Sequence, residues 1–251
     1  MESVETRRVR AVILTTQRTG STFLVDCLGS HPEIECASEI LVGDPDVPAR
    51  RKGGHFKKVV KLTNFITSGA FLPGHRMADY FAGGSARVRM FKVMYNHLAN
   101  PFALRYLREQ EDIRILHLRR HNLLKVYVSK LLMPKRAQVQ VFSPVDAVQV
   151  HVNPAEAIAS MRVSRRLYER YERLFERHRR LPVTYEELFD GQQLSTATAV
   201  RIGEFLDVAP HPMKSGIIKL NPESLRDMVV NFQELADAVA NTEFADMLEG
   251  C

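Results

Sequence analysis

Residues 9–31 read VRAVILTTQRTGSTFLVDCLGSH. The run Ala11 to Leu14 is short, apolar and β-branched, the pattern of a buried strand. A polar turn from Thr15 to Ser21 follows, with Gly20 where the backbone bends tightly, and then Phe23, Leu24, Cys27 and Leu28 recur at helical spacing. A strand, a glycine-containing loop and a helix N-terminus, in that order, build an anion site. The loop and first-turn N–H groups point at the anion, and the helix dipole favours negative charge there.

The side chains of the turn narrow the choice of anion. In G-x-x-x-x-G-K-[ST] the lysine reaches the β- and γ-phosphates and the hydroxyl holds Mg²⁺. Here no lysine follows Gly20, and the cation, Arg18, precedes it. The loop offers amide donors, the hydroxyls of Thr19, Ser21 and Thr22 and one guanidinium, with no evident metal ligand. A sulfuryl group on a phosphate fits this set, because it carries less charge than a terminal phosphate and needs no Mg²⁺ to neutralise it. The stretch Gln17, Arg18, Thr19, Gly20, Ser21, Thr22, Phe23, Leu24 resembles the 5′-phosphosulfate loop of sulfotransferases that use 3′-phosphoadenosine-5′-phosphosulfate (PAPS), nearest to the bacterial carbohydrate branch with its trehalose, Nod-factor and lipopolysaccharide types.

Two further stretches carry the same resemblance. Residues 113–132 read IRILHLRRHNLLKVYVSKLL, a strand from Ile113 to Leu118 and then a helix bearing Leu123, Leu124, Val126, Tyr127, Leu131 and Leu132. In the family an arginine at such a strand end and a serine about two turns into the helix bind the donor's 3′-phosphate. Ser129 matches the serine. The arginine's usual place falls on His121, so Arg119 and Arg120 are both candidates, and arginine is the natural fork for a phosphate monoester. Residues 181–188, LPVTYEEL, resemble the family's strand ending in Tyr-Glu-x-Leu, with Tyr185 and Glu186 expected to pack and cap. A helix from Thr196 to Leu206 follows, with Ile202, Phe205 and Leu206 on one face. Lys219 to Arg226 and Val229 to Leu235 resemble the C-terminal segment of the same branch; Lys214 and, as the retained candidate, Lys219 are the basic residues there and just before it considered for the 3′-phosphate.

The resemblance implies a PAPS-dependent O-sulfotransferase that releases 3′,5′-adenosine bisphosphate and uses no metal. In-line attack by an acceptor hydroxyl is governed by positioning and charge stabilisation. Arg18 sits where it neutralises charge on the leaving oxygen. A base for the hydroxyl proton is expected at Glu39, in the segment CASEIL of residues 36–41, where the carbohydrate branch places a glutamate beside the acceptor. His97, in FKVMYNH of residues 91–97, is the rival base, and Lys92 of the same strand is a candidate neighbour of the donor.

Composition bounds the rest. The chain has 251 residues, 45% apolar and 25% charged, which suits a single soluble domain over 1–251. It contains no apolar run long enough to cross a membrane and no signal peptide pattern. Three cysteines, Cys27, Cys36 and Cys251, suggest no disulfide framework and a cytoplasmic setting, and no His or Cys spacing reads as a zinc site. The net charge of +6 favours anionic ligands. The fold class is therefore α/β, a central parallel sheet flanked by helices in a P-loop-like nucleotide-binding arrangement. A mobile loop is expected at 42–58, folding over the acceptor, and a hairpin and helix insertion at about 138–180, the helix running from Pro154 to about Arg180. That helix carries Ile158, Met161, Leu167, Tyr171, Leu174 and Phe175 on its core face. Its arginines are interleaved with glutamates, which indicates an ion-paired surface rather than a nucleic-acid face. The acceptor is a carbohydrate or small molecule of unassigned identity, and oligomeric state is open, a homodimer included. Two other readings compete: a nucleotide or nucleoside kinase, which Mg²⁺-dependent ATP turnover would reveal, and a non-catalytic anion- or nucleic-acid-binding protein.

Overall fold

The computed structural model describes residues 8–41, 73–136, 149–217 and 224–249. The loop expected at 42–58, most of the hairpin expected before residue 152 and Lys219 lie outside the described residues. Five strands form one parallel sheet: β1 (Val9–Thr15), β2 (Ile34–Ala37), β3 (Val88–Met94), β4 (Arg114–Arg119) and β5 (Arg180–Thr184), in the order β2-β3-β1-β4-β5. β1 lies between β3 and β4, with Ile13 in register with both Lys92 and Leu116. That central place explains its sequence. From Ala11 to Thr15 every residue is buried, so the apolar run does not alternate.

The chain divides into two compact units. The first holds the sheet with α1 (Ser21–Gly29), α2 (Pro73–Ala82), α3 (Pro101–Glu109) and, after β5, α6 (Thr196–Leu206). Its core joins Ala11 and Ile13 of β1, Leu24 and Leu28 of α1, Leu116 of β4 and Ile202 and Leu206 of α6. The helix starts follow local chemistry. Asn100 caps α3 by accepting from the N–H groups of Phe102 and Ala103, ahead of Pro101 at the first helical position. Ser195 caps α6 by accepting from Thr198 N–H.

The second unit comprises Gln17–Thr19, Arg120–Arg173 and the C-terminal segment. It contains α4 (Leu123–Arg136), nearly all of α5 (Pro154–Leu174), α7 (Leu225–Met228) and α8 (Phe232–Ala240). α5 corrects the expected helix: it ends at Leu174, not near Arg180. Phe175 prolongs the apolar pattern, but the Arg179 carbonyl accepts Ile115 N–H at 3.0 Å, so the sheet edge takes the backbone instead. Its buried positions are Ala157, Met161, Tyr168 and Tyr171, while Ile158, Leu167 and Leu174 are half-buried. Its arginines reach other elements, Arg165 pairing with Glu243 and, just past the helix, Arg177 with Glu111. The expected strand over LPVTYEEL is also shorter. It stops at Thr184, and Tyr185–Glu187 form a 3₁₀ turn in which Glu187, not Glu186, accepts Thr184 N–H at 2.8 Å.

Candidate functional site

The loop after β1 starts from a fixed point. Thr15 is fully buried, its Oγ1 donates to the Leu118 carbonyl at 2.9 Å, and its carbonyl accepts Tyr95 N–H at 2.9 Å. The carboxyl end of β1 is thereby tied to both neighbouring strands, at the place in the sheet where successive strands switch sides and α/β proteins bind ligands. Two residues of the loop then take left-handed backbone, Arg18 at φ 66° and Gly20 at φ 76°. Gly20 is demanded twice: by its φ, and because a Cβ there would lie 2.8 Å from Tyr185 Cδ2. Left-handed backbone at a residue other than glycine, as at Arg18, costs on the order of 1 kcal/mol and is characteristic of ligand loops. Gly20 is the N-cap of α1, so the helix has no side-chain cap, and it has no acidic residue in its first turn, which suits an anion at its N-terminus.

In the second unit the structure joins three of the sequence candidates. Arg18 Nε donates to Ser129 Oγ at 2.8 Å, Ser129 being buried on α4. Arg120 Nη1 donates to the Arg18 carbonyl at 3.3 Å, and its own N–H donates to the Tyr168 hydroxyl at 3.3 Å. Arg120, one of the two candidate arginines, is thus brought to the Arg18 carbonyl. Arg119 closes β4 in the first unit. His121, at the family's usual arginine position, faces Asp246 with Nε2 and Oδ2 3.5 Å apart.

In the first unit a second cluster forms at the strand ends. Glu39 follows β2, and its carboxylate meets Lys92 of β3 (Oε1 to Nζ, 2.9 Å) and His97 of the turn after β3 (Oε2 to Nε2, 3.3 Å). Lys92 N–H donates to the Ser38 carbonyl at 3.2 Å, which holds the Glu39 segment against β3. The Lys92 and His97 side chains are 6% and 4% exposed, Glu39 35%. The hydrogen bond from His97, followed by the bond and the charge of the Lys92 ammonium, draws the Glu39 carboxyl down to about 2 against the opposing effect of burial.

The other candidates fall elsewhere. Lys214 N–H binds Ser30 Oγ at 3.0 Å, at the C-terminal end of α1, a helix length from Gly20. Burial pushes the Cys27 thiol up to about 12 and the Cys36 thiol upward as well, so neither is a thiolate nucleophile. Among the described residues no group of His, Cys, Asp and Glu is arranged to hold a metal ion, and no helix is long and apolar enough to cross a membrane. Sequence reading missed Tyr185 as the wall against Gly20. The short Thr15–Gly20 turn signalled a close approach but not its partner.

The model of the Sulfotransferase family matches residues 11–212. The chain belongs to the sulfotransferase family. The crystal structure of a sulfotransferase from Alicyclobacillus acidocaldarius is similar in fold, with a TM-score of 0.53 and 20% sequence identity over 96% of this chain and 94% of that one. No curated protein matches significantly. In this sulfotransferase Arg18, Glu39, Lys92, His97, Arg120 and Ser129 all lie within the matched range, whereas Lys214 and Lys219 lie beyond it.

Proposed function

We propose that this sulfotransferase moves a sulfuryl group from PAPS to an acceptor hydroxyl, of a carbohydrate or a small-molecule alcohol. The observation that carries the reading is the loop itself: a left-handed glycine that leaves no room for a Cβ, beside a left-handed arginine bonded to Ser129. Backbone amides, hydroxyls and a guanidinium fit a phosphosulfate, and the absence of a lysine after Gly20 separates the loop from ATP-binding P-loops. Bound, the donor supplies an activated sulfuryl group and 3′,5′-adenosine bisphosphate as leaving group.

The chain's residues divide the work. Gln17, Thr19, Gly20, Ser21, Thr22 and Phe23 shape the cradle for the 5′ end. Arg18 offsets the charge that grows on the leaving oxygen. Ser129 with Arg120, and Arg119 as the alternative fork, hold the 3′-phosphate. Glu39, the reachable member of its cluster, takes the acceptor's proton. Calorimetry with 3′,5′-adenosine bisphosphate in the absence of metal tests the donor. A mass-spectrometric screen of sugars, alcohols, phenols and amines with PAPS, reading the gain of one sulfuryl group, tests the reaction. No nucleotide binding, or binding and turnover of ATP with Mg²⁺ only, would sink the proposal.

A further inference from the structure

We infer that His97 is a positioning residue for Glu39: it fixes the carboxylate through Nε2 and does not itself take the acceptor's proton. This deepens the reading of Glu39 as the base and rests on it. The ring's tautomer follows from its neighbours. Met94 N–H donates to His97 Nδ1 at 3.2 Å, so Nδ1 is an acceptor and the ring proton of the neutral imidazole sits on Nε2. Nε2 lies 3.3 Å from Glu39 Oε2 and donates that proton to it. Both ring nitrogens are thus committed. To act as base, the ring would have to give up the Met94 N–H and become a cation with the Lys92 ammonium on the same carboxylate.

The anchoring also has direction. Met94 is the last residue of β3 and pairs in register with Thr15, where the anion loop begins. The imidazole is therefore hung from the sheet edge, and through Nε2 it transmits that position to Glu39. Lys92, from the same strand, holds the other oxygen. Among the described residues these two, Lys92 from β3 and His97 from the turn after it, are the titratable groups acting on Glu39. The imidazole and the ammonium are buried, and the carboxylate is the member open to an acceptor.

Two amide variants separate the roles, because neither can accept a proton. His97→Asn keeps an acceptor near Met94 N–H but withdraws the donor from Glu39. His97→Gln keeps a donor at the Nε2 position. The expected result is a loss in kcat of about 10–100-fold for His97→Asn, with the KM for PAPS within about twofold of wild type, and recovery of at least fivefold of that loss by His97→Gln. In the unliganded protein, NMR titration of the Glu39 carboxyl should start near 2 in wild type, rise toward the ordinary carboxylate range in His97→Asn, and stay low in His97→Gln. Equal losses in both variants, together with retained activity in Glu39→Gln, would make His97 the base and overturn the inference. So would a Glu39 titration that does not respond to His97→Asn. If wild-type protein titrates as expected yet moves no sulfuryl group from PAPS, the proposed function fails while the positioning role stands.

Discussion

Arg18, in left-handed backbone, donates from Nε to Ser129 Oγ at 2.8 Å, joining the loop after β1 to a helix residue 111 positions later in the chain. Nε is thereby spent on the protein, which fixes the plane of the guanidinium and the direction of its two terminal nitrogens. Removing the hydroxyl should cost donor affinity directly and also leave Arg18 unguided. Ser129→Ala is expected to weaken 3′,5′-adenosine bisphosphate binding by about 10–100-fold by calorimetry, the worth of one or two hydrogen bonds to charged groups. Arg18→Ala should lower kcat by more than about 100-fold, and Arg18→Lys should recover little, because an ammonium lacks the Nε donor that Ser129 reads. Wild-type affinity in Ser129→Ala would remove Ser129 from the donor site.

Gly20 offers a test of the cradle that does not touch a charged group. An alanine there must hold φ near 76° and place its Cβ 2.8 Å from Tyr185 Cδ2, with Leu188 Cδ1 at 3.1 Å. Strain and crowding together should destabilise the fold by about 1–3 kcal/mol, read as a lower denaturant midpoint. Nucleotide affinity should fall further than stability alone explains. If Gly20→Ala in combination with Tyr185→Ala recovers the midpoint but not the affinity, the glycine's conformation is the part that binding needs.

How much of this was legible beforehand depended on whether a residue's environment repeats along the chain. β1 showed in the sequence because it is buried on both sides, and α6 showed to the residue because Ser195 caps it and Ile202, Phe205 and Leu206 keep period. β2 did not. Four residues with only Ile34 buried carry no pattern, and the strand exists because Glu35 and Cys36 pair with Arg89 and Met90. α2 and α3 escaped too, having two buried residues each. α5 overran because Phe175 continues its apolar rhythm while the chain has already turned into the sheet. At the candidate site, Arg18, Ser129, Glu39 and His97 were each visible as residue types in a motif. Their pairings were not, since nothing in a linear sequence states that Nδ1 of His97 will meet Met94 N–H, or that Arg120 will meet the Arg18 carbonyl.

Glu39→Gln keeps the size of the side chain and one acceptor oxygen but removes the charge that Lys92 and His97 hold. If the carboxylate takes the acceptor's proton, kcat should drop by about 100–10,000-fold, while 3′,5′-adenosine bisphosphate binds within about twofold of wild type. The pH dependence has a definite sign. The carboxyl is drawn below its ordinary value of 4.5 to about 2, so the base stays ionised through mildly acidic solution, and its contribution is lost only as pH falls through that low value. An acid limb of kcat/KM with its midpoint above about 5 in the wild type would assign the limb to another group. Glu39→Asp, which cannot span the same distance to Lys92 and His97, should lose most of the rate while keeping a titratable carboxylate.

The buried pair Tyr95 and His117 makes a prediction about stability rather than catalysis. His117 Nε2 of β4 lies 2.5 Å from the hydroxyl of Tyr95, just past β3, and burial, reinforced by Arg119 and Arg180, lowers the imidazole from 6.5 to about 3. Between those values the unfolded chain binds a proton that the folded chain refuses, so stability rises with pH across that window and levels off above about 6.5. From pH 7 to pH 5 this one group should cost about 2 kcal/mol, equivalent to a fall in Tm of about 4–8 °C for a chain of this size. His117→Gln, which preserves a hydrogen-bonding partner for Tyr95 but cannot titrate, should flatten that part of the profile even if its stability at pH 7 is lower. The measurement is the difference in denaturant midpoint between pH 5 and pH 7 in the two proteins. An identical difference in both would mean that His117 is not the group that burial holds neutral.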